Sequence, residues 1–454
     1  MKSKEKLQMF RKMKKINAVL GTAVFISIFW FYCGCNKNPD KQVFPPPAAG
    51  CAFFTQDYAL PQTQSAQQLS EYLSSEHFEY DLDGWFFFGN LVDNDAPDDI
   101  GVFFIAVQRI EMSYHGFRAP VVPAIVAFGN DSLGKYEWRG FVTLDIDSLM
   151  IVTSNPWDVT LNSPITTIPL ITMSLISGNM GAADAEYILT ADIPDFNGVR
   201  LHAEVQLRDR LGVVNQGYGP ASFFPQYLSE EQRAQIMESP ARSVSNYLEA
   251  TGDPMSCQGS YYYSLPLMDV EQFSIKLDDT ISLSNGSDGL MWMDYVVQSY
   301  DQQASEVFSN ASWDFYAIQL PEENAAIMVI EINSATGSLP IATLFRNDSD
   351  RTLNTARKAV HSWAINEINI YHVPGTDWVS PKSGLKYAMQ HRIQLTSTDY
   401  SADLTINMVR DDQEIIIDST KIKYEGLGSV EGILSGQPVT GQAFVEIQPV
   451  GVLK

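Results

Sequence analysis

Residues 84–107 read GWFFFGNLVDNDAPDDIGVFFIAV, and the fold class follows from this stretch. Trp85–Phe88 and Val102–Val107 are apolar runs too short for ordinary helices. They are rich in aromatic and β-branched side chains, which suit a pleated, half-buried surface. Between them, residues 93–99 hold Asn94, Pro97 and four aspartates, the residue types that turn a chain. Two such runs around such a turn predict a β-hairpin.

The same punctuation recurs on both sides. Strands are predicted over 122–128, 138–145, 166–173, 186–191 and 199–207. A second series follows at 289–298, 312–319, 325–332, 340–346, 366–371, 387–395, 402–408, 413–418, 421–432 and 441–448. A short helix is expected over 66–75. Residues 225–250 differ: Ser229 and Gln232 form a capping-box pattern, and Ala241–Ala250 has helical spacing. The chain is therefore expected to be all-β, with two barrel or half-barrel domains packed together and a short helical stretch between them. The boundary is placed near 250, giving domains over 71–255 and 256–454.

A length of 454 residues suits two β domains of roughly 180–200 residues each. Hydrophobic residues make up 45%, enough for two sizeable cores. The formal net charge is −24. Residues 1–34 carry seven Lys/Arg and one Glu, so the body without them is near −30. Such a body repels phosphate backbones, which argues against nucleic acid as a partner.

The basic start (Lys2, Lys4, Lys6, Arg11, Lys12, Lys14, Lys15) precedes an apolar run, Ala18–Tyr32, that is short for a membrane span and fits a signal segment. Tyr32-Cys33-Gly34-Cys35 follows, with a small residue just before a cysteine, as at a bacterial lipobox. Residues 1–35 are read as a signal peptide with Cys35 as the lipidation site, and 36–70 as a tether containing Pro45-Pro46-Pro47. An uncleaved N-terminal anchor is the alternative. Both readings put the body in the cell envelope, outside the cytoplasm and held to a membrane. Cys51 and Cys257 are then left as one candidate disulfide. No Cys/His cluster or HExxH spacing points to a metal, and nothing points to a cofactor.

A series of motifs in the second half is more specific. In order these are Tyr261-Tyr262-Tyr263-Ser264-x-Pro266; Gly289-x-x-Trp292-Met293-Asp294; Trp313-Asp314-Phe315-Tyr316 with Gln319-Leu320; Trp378-x-Ser380-Pro381-x-Ser383-Gly384; Gln413-Glu414; and Tyr424-Glu425-Gly426 followed by Gly436-x-Pro438-Val439-x-Gly441. Together they resemble the carotenoid 1,2-hydratase (hydroxyneurosporene synthase) superfamily of lipocalin-like proteins. The stretch Asp83–Leu91 stands where that family has Glu-Trp-Trp-Tyr-x-x-Gly-His-Leu. The resemblance implies a double lipocalin-like fold with a hydrophobic cavity. It also implies hydration or cyclisation of isoprenoids or polyenes, with Asp294 in the place of the family's acid. The family's His-x-Trp pair would fall near Tyr261-x-Tyr263. Histidines of the family pattern are replaced by Tyr295 and Asn90.

The residues themselves support parts of this. Adding water to an alkene needs a proton donor, and burial keeps a carboxylic acid protonated. Aromatic faces stabilise a developing cation. On a strand, Trp292 and Asp294 share a face, and Met291 and Met293 share the other. Asp294 is then a catalytic acid, a ligand contact or a structural carboxylate. Tyr261 and Tyr263 share a face and either orient a ligand or cap the barrel. Trp313 and Trp85 are read as core packing or cavity wall, Tyr295 as pocket lining, and Glu425 as part of a buried network or a ligand contact. The leading expectation is an exported lipoprotein that binds a hydrophobic, isoprenoid- or lipid-like small molecule. The alternative is a cofactor-independent hydratase, isomerase or cyclase with Asp294 as general acid.

Overall fold

A computed structural model describes residues 70–76, 82–215, 260–298, 312–346 and 361–449, apart from a few short gaps. The expected signal segment, Cys35, Cys51, Cys257 and the helical stretch at 225–250 lie outside the described residues. Of the helix expected over 66–75, the last turn is described, with the Ser74 N–H donating to Ser70 O at 3.0 Å.

The chain is built almost wholly of strands. The first series is β1 (Leu82–Val92), β2 (Ile100–Tyr114), β3 (Phe117–Asn130), β4 (Lys135–Leu144), β5 (Met150–Ser154), β6 (Trp157–Asn162), β7 (Pro169–Ser177), β8 (Glu186–Phe196), β9 (Val199–Asp209), β10 (Val214–Asn215), β11 (Ser260–Leu277), β12 (Ile281–Gly286) and β13 (Leu290–Gln298). The second is β14 (Ser312–Leu320), β15 (Ala325–Ser334), β16 (Gly337–Arg346), β17 (His361–Trp363), β18 (Ile368–His372), β19 (Asp377–Val379), β20 (Lys386–Ala388), β21 (Gln390–Leu395), β22 (Ala402–Met408), β23 (Glu414–Asp418), β24 (Lys421–Leu434) and β25 (Gln437–Gln448). The hairpin read from residues 84–107 is β1–β2, in register from Leu82↔Ile110 to Val92↔Ile100. The strand expected over 387–395 is broken between β20 and β21. There the Met389 N–H leaves the ladder for Thr376 O, at 3.1 Å. The β5–β6 hairpin had no counterpart in the sequence reading, because Asn155-Pro156 interrupts the alternation.

One sheet runs β4-β3-β2-β1-β13-β11-β9-β8-β7-β6-β5 and curls into a half-barrel. The other runs β17-β16-β15-β14-β25-β24-β22-β21-β18 and nearly closes, since β16 touches β18. This is the expected pair of lipocalin-like units, but the sheets do not divide near 255. They divide between Gln298 and Ser312. Strands β11 to β13 complete the first sheet, with β13 inserted between β1 and β11. The reason is long-range pairing: Trp85↔Tyr295 and Phe88↔Trp292 join residues some 200 apart, which no local pattern reveals.

Alternation buries one face of each sheet throughout and the second face where the two sheets meet. Inside the half-barrel pack Trp85, Trp157, Tyr187 and Tyr295. Inside the second barrel pack Tyr316, Trp363, Tyr387 and Tyr424. The outer faces of β1, β2, β3 and β13 meet the outer faces of β14, β15, β16, β24 and β25. Phe88, Phe104, Trp292, Phe315, Met328, Phe345, Leu427 and Phe444 form this third apolar layer, the seam between the units. At about 25 cal/mol per Å² of apolar area, burying such rings stabilises the docking by several kcal/mol.

Candidate functional site at the seam

The site begins with a glycine. Gly289 has φ +136, and a Cβ there would lie 2.3 Å from Asn90 O. Only glycine fits where β13 starts against β1. Asn90 fixes the start by accepting the Leu290 N–H at 2.6 Å. The Gly-x-x-Trp-x-Asp spacing thus carries Trp292 and Asp294 onto the seam side of β13, while Met291, Met293 and Tyr295 turn into the half-barrel.

Asp294 is 3% exposed. Three neutral donors hold its carboxyl: Trp292 Nε1 at 2.5 Å and Ser264 Oγ at 2.5 Å on Oδ1, and the Tyr262 hydroxyl on Oδ2. Ser264 stands directly opposite Asp294 on β11, and Phe86 directly opposite on β1. Burial pushes the Asp294 pKa up to about 7, against the pull of the three donors and with help from nearby Glu446. The indole N–H can only donate, so Oδ1 stays an acceptor in either protonation state. The carboxylic proton is shared with one of two hydroxyls, that of Tyr262 on Oδ2 or of Ser264 on Oδ1, either of which can reverse its role.

Around this acid the rings are closely packed. Phe88 lies 6.5 Å from Trp292 and 4.5 Å from Phe444, between ring centroids. Tyr262 stacks on Phe315 at 6.5 Å. Tyr262 is itself half-buried and joins a separate apolar group with Phe86, Leu82, Ile110, Val121 and Val296 at one end of the seam. Across the seam, Lys423 pairs with buried Glu425 and lies 3.7 Å from Glu446, which accepts the Trp313 Nε1–H at 3.1 Å. Burial pushes the Glu425 pKa up to about 8, and Glu446 adds to the shift.

The structure thus brings Asp294, Trp292, Glu425 and Trp313 to one seam. It does not bring Tyr263, Tyr295 and Trp85 there. These three occupy the other face and stack within the half-barrel, Trp85 on Tyr295 at 5.0 Å and Tyr263 on Tyr295 at 6.3 Å. Tyr261 lies opposite Val297 on β11, and its side chain is outside the described residues. The pair beside Asp294 is Tyr262-x-Ser264, one residue out of phase with the expected Tyr261-x-Tyr263. A one-residue shift on a strand exchanges every side chain between faces. Three consecutive tyrosines offered no local sign of which phase faced the acid.

Two other motifs are structural. Glu414 accepts hydrogen bonds from Ser380 Oγ (2.5 Å), Ser383 Oγ (2.5 Å) and the Tyr387 hydroxyl (2.9 Å), pinning the β19–β20 hairpin. Gln319 Nε2 donates to Pro266 O (3.0 Å) and Met291 O (2.9 Å), and Gln442 Nε2 to Leu290 O (3.1 Å) and Gln319 Oε1 (2.8 Å), stapling the two sheets together. A recess of about 650 Å³ lies on the outer face of β9, β11 and β12, lined by polar groups including His202, Glu204, Gln272 and Lys276. It is separate from Asp294. Among the described residues no group of His, Cys, Asp and Glu is arranged to hold a metal.

No family model matches the chain. No curated protein matches it either. Solved structures do. The crystal structure assigned as an AttH from Nitrosomonas europaea aligns over 83% of this chain and 95% of its own, at 18% identity and a TM-score of 0.55. Kievitone hydratase from Nectria haematococca aligns over 86% and 92%, at 12% identity and a TM-score of 0.50. The chain shares with them a two-unit lipocalin-like fold, the fold its motif series implied.

Proposed function

We propose that this protein takes a hydrophobic, unsaturated molecule at the Tyr262 end of the seam, where Asp294 acts on it as a neutral acid. The observation that carries this is the Asp294 carboxyl, buried and held only by uncharged donors, an environment that pushes its pKa up to about 7. An acid so placed can give its proton through Tyr262, and the surrounding rings can face the cation that results. That a fold neighbour is a hydratase agrees with such chemistry. Half-buried Phe86 and Tyr262, packed on buried Leu82, Ile110, Val121 and Val296, make the surroundings of the acid apolar at this end.

A second reading, binding without turnover, is favoured by Asn90. This residue stands where the resembling family has histidine, and here it serves the backbone of β13. One experiment separates the two. Incubation with a membrane lipid extract, read by native mass spectrometry, gives a product heavier by one water if the acid turns over, and a retained, unchanged ligand if it does not. Neither outcome removes both readings. The basic start, apolar run and Cys35 support export and lipid anchoring. Wild type then partitions into detergent and takes up labelled palmitate. A Cys35→Ser variant that still did both would remove the anchor assignment.

A further inference from the structure

The recess on the outer face of β9, β11 and β12 has no part in the chemistry of Asp294, and strand pairing sets its lining in rows. Across β9 and β11, Gln206 stands opposite Gln272, Glu204 opposite Ser274, and His202 opposite Lys276. Asn285 of β12 stands opposite Ser274 on its other side. Glu204, Ser274 and Asn285 therefore form one polar row across the strands, roughly 10 Å long at about 4.8 Å per strand. The alternate residues Phe273 and Ile275 turn into the half-barrel core and hold the floor from below.

The far wall is fixed through its main chain. The Asn285 N–H donates to Asp93 Oδ2, and Asn285 O accepts from the Asn94 N–H, both at 3.0 Å. The Asn285 side chain is left to the recess. Gly286 draws the corner tight: a Cβ there would lie 2.3 Å from Val92 O and 2.7 Å from the Phe273 ring.

Elsewhere on this outer face, polar side chains pair with one another. Ser174 Oγ donates to Asp158 at 2.5 Å, Thr172 and Thr190 join their hydroxyls, and Arg200 Nε donates to Asp192 at 2.7 Å. The recess differs. Among the described residues, the side chains of Glu204, Gln272, Ser274, Lys276 and Asn285 make no hydrogen bond or ion pair with the protein. Glu204, Ser274 and Asn285 are nonetheless half-buried. Convergent polar groups that the fold itself does not use, set in a space of about 650 Å³, suit a small molecule.

Their chemistry limits which one. Glu204 only accepts, Lys276 only donates, and Gln272, Ser274 and Asn285 do both. An anion would meet Glu204 and Glu271, and a cation would meet Lys276. Apart from Phe273 and Gly286, every lining residue is polar or charged, so a greasy chain gains little. Neighbouring hydroxyls, each donor and acceptor, satisfy the whole set and bring no charge. We propose that this recess is a second binding site, for a short, uncharged saccharide. Glu204 and Asn285 take hydroxyls from the two ends of the row, and Lys276 and Gln272 donate from its sides. The site stands apart from Asp294 and from any turnover there.

Saturation-transfer difference NMR of the full chain with maltose, cellobiose and N,N′-diacetylchitobiose tests this. Transfer to the ring protons of at least one disaccharide is expected. Glu204→Ala weakens that binding about tenfold, and Ser274→Tyr, which fills the middle of the row, abolishes it. Asp294→Asn leaves it unchanged, so failure here and failure of the acid are told apart. Both variant positions face outward, and circular dichroism confirms their folding; if one fails to fold, the other decides. No transfer from any of the three sugars overturns the proposal. So does binding that survives in the folded recess variants, or preferential binding of free glycine, a zwitterion, or of inorganic phosphate.

Discussion

At Asp294 the polar chemistry of a single carboxyl decides more than its fold contribution. The unfolded chain ionises this residue near 3.8, whereas the folded protein holds the proton up to about 7. The folded state therefore binds more protons between these values, and stability falls as pH rises through that window. The shift corresponds to about 4 kcal/mol. Asp294→Asn cannot titrate. The difference in unfolding free energy between wild type and Asp294→Asn is expected to move against wild type by up to that amount between pH 4 and pH 8, measured by denaturant titration. A constant difference would mean that the carboxyl stays ionised in the fold. Glu425, raised to about 8, tilts the alkaline limb the same way. Where acid turnover occurs, Asp294→Asn also lowers it by about 10²-fold or more.

At the level of elements, the second barrel carries a crossing of its own. Strand β14 reaches over the interior to the β18–β21 pair, where His372 and His391 stand directly opposite. The Asp314 carboxylate accepts from His372 Nε2 at 2.8 Å, and the Tyr316 hydroxyl bonds His391 Nδ1 at 3.1 Å. The two imidazoles meet edge to face at 5.1 Å. Burial first, and the neighbouring His372 next, push the His391 pKa down to about 4. Its unfolded state takes a proton near 6.5 that the folded state refuses, so stability falls as pH drops from about 6.5 to 4 and is level below. The loss is on the order of 3 kcal/mol. His372 works oppositely: its hydrogen bond to Asp314 raises its pKa, and the stability it adds below 6.5 is lost as pH rises through the folded value. His391→Phe is expected to flatten the acid limb of melting temperature against pH, with a pH-independent offset from the unpaired Tyr316 hydroxyl. An unaltered acid slope would assign that limb to other groups.

For the molecule as a whole, the seam decides whether two units behave as one. A layer of rings spans it, and the Gln319–Gln442 staple sits within it, with Arg210 donating to Pro321 O at 3.0 Å nearby. The units are expected to unfold in one transition. Gln319→Ala leaves the Pro266 and Met291 carbonyls without their amide donor and costs about 1–3 kcal/mol. In a Gln319→Ala, Gln442→Ala double variant, differential scanning calorimetry is expected to resolve the two units. A single unshifted peak would show that the rings alone hold them together.

The amino-acid sequence by itself determined the strand-rich class, the β1–β2 hairpin, most strand positions of the second half and the shared face of Trp292 and Asp294. All of these follow from period-two alternation and turn chemistry over a few residues. Its motif series pointed to a lipocalin-like fold because the glycines, Gln319 and Glu414 that shape the frame were in place. Only the tertiary structure decided that β13 lies between β1 and β11, that Tyr262 rather than Tyr261 or Tyr263 meets the acid, and that Trp292 on the acid's own strand packs with Phe315 and Phe444 of the second sheet. Which face of a strand is buried against which partner depends on pairing between residues 30 to 200 positions apart. No local pattern of side chains encodes that register.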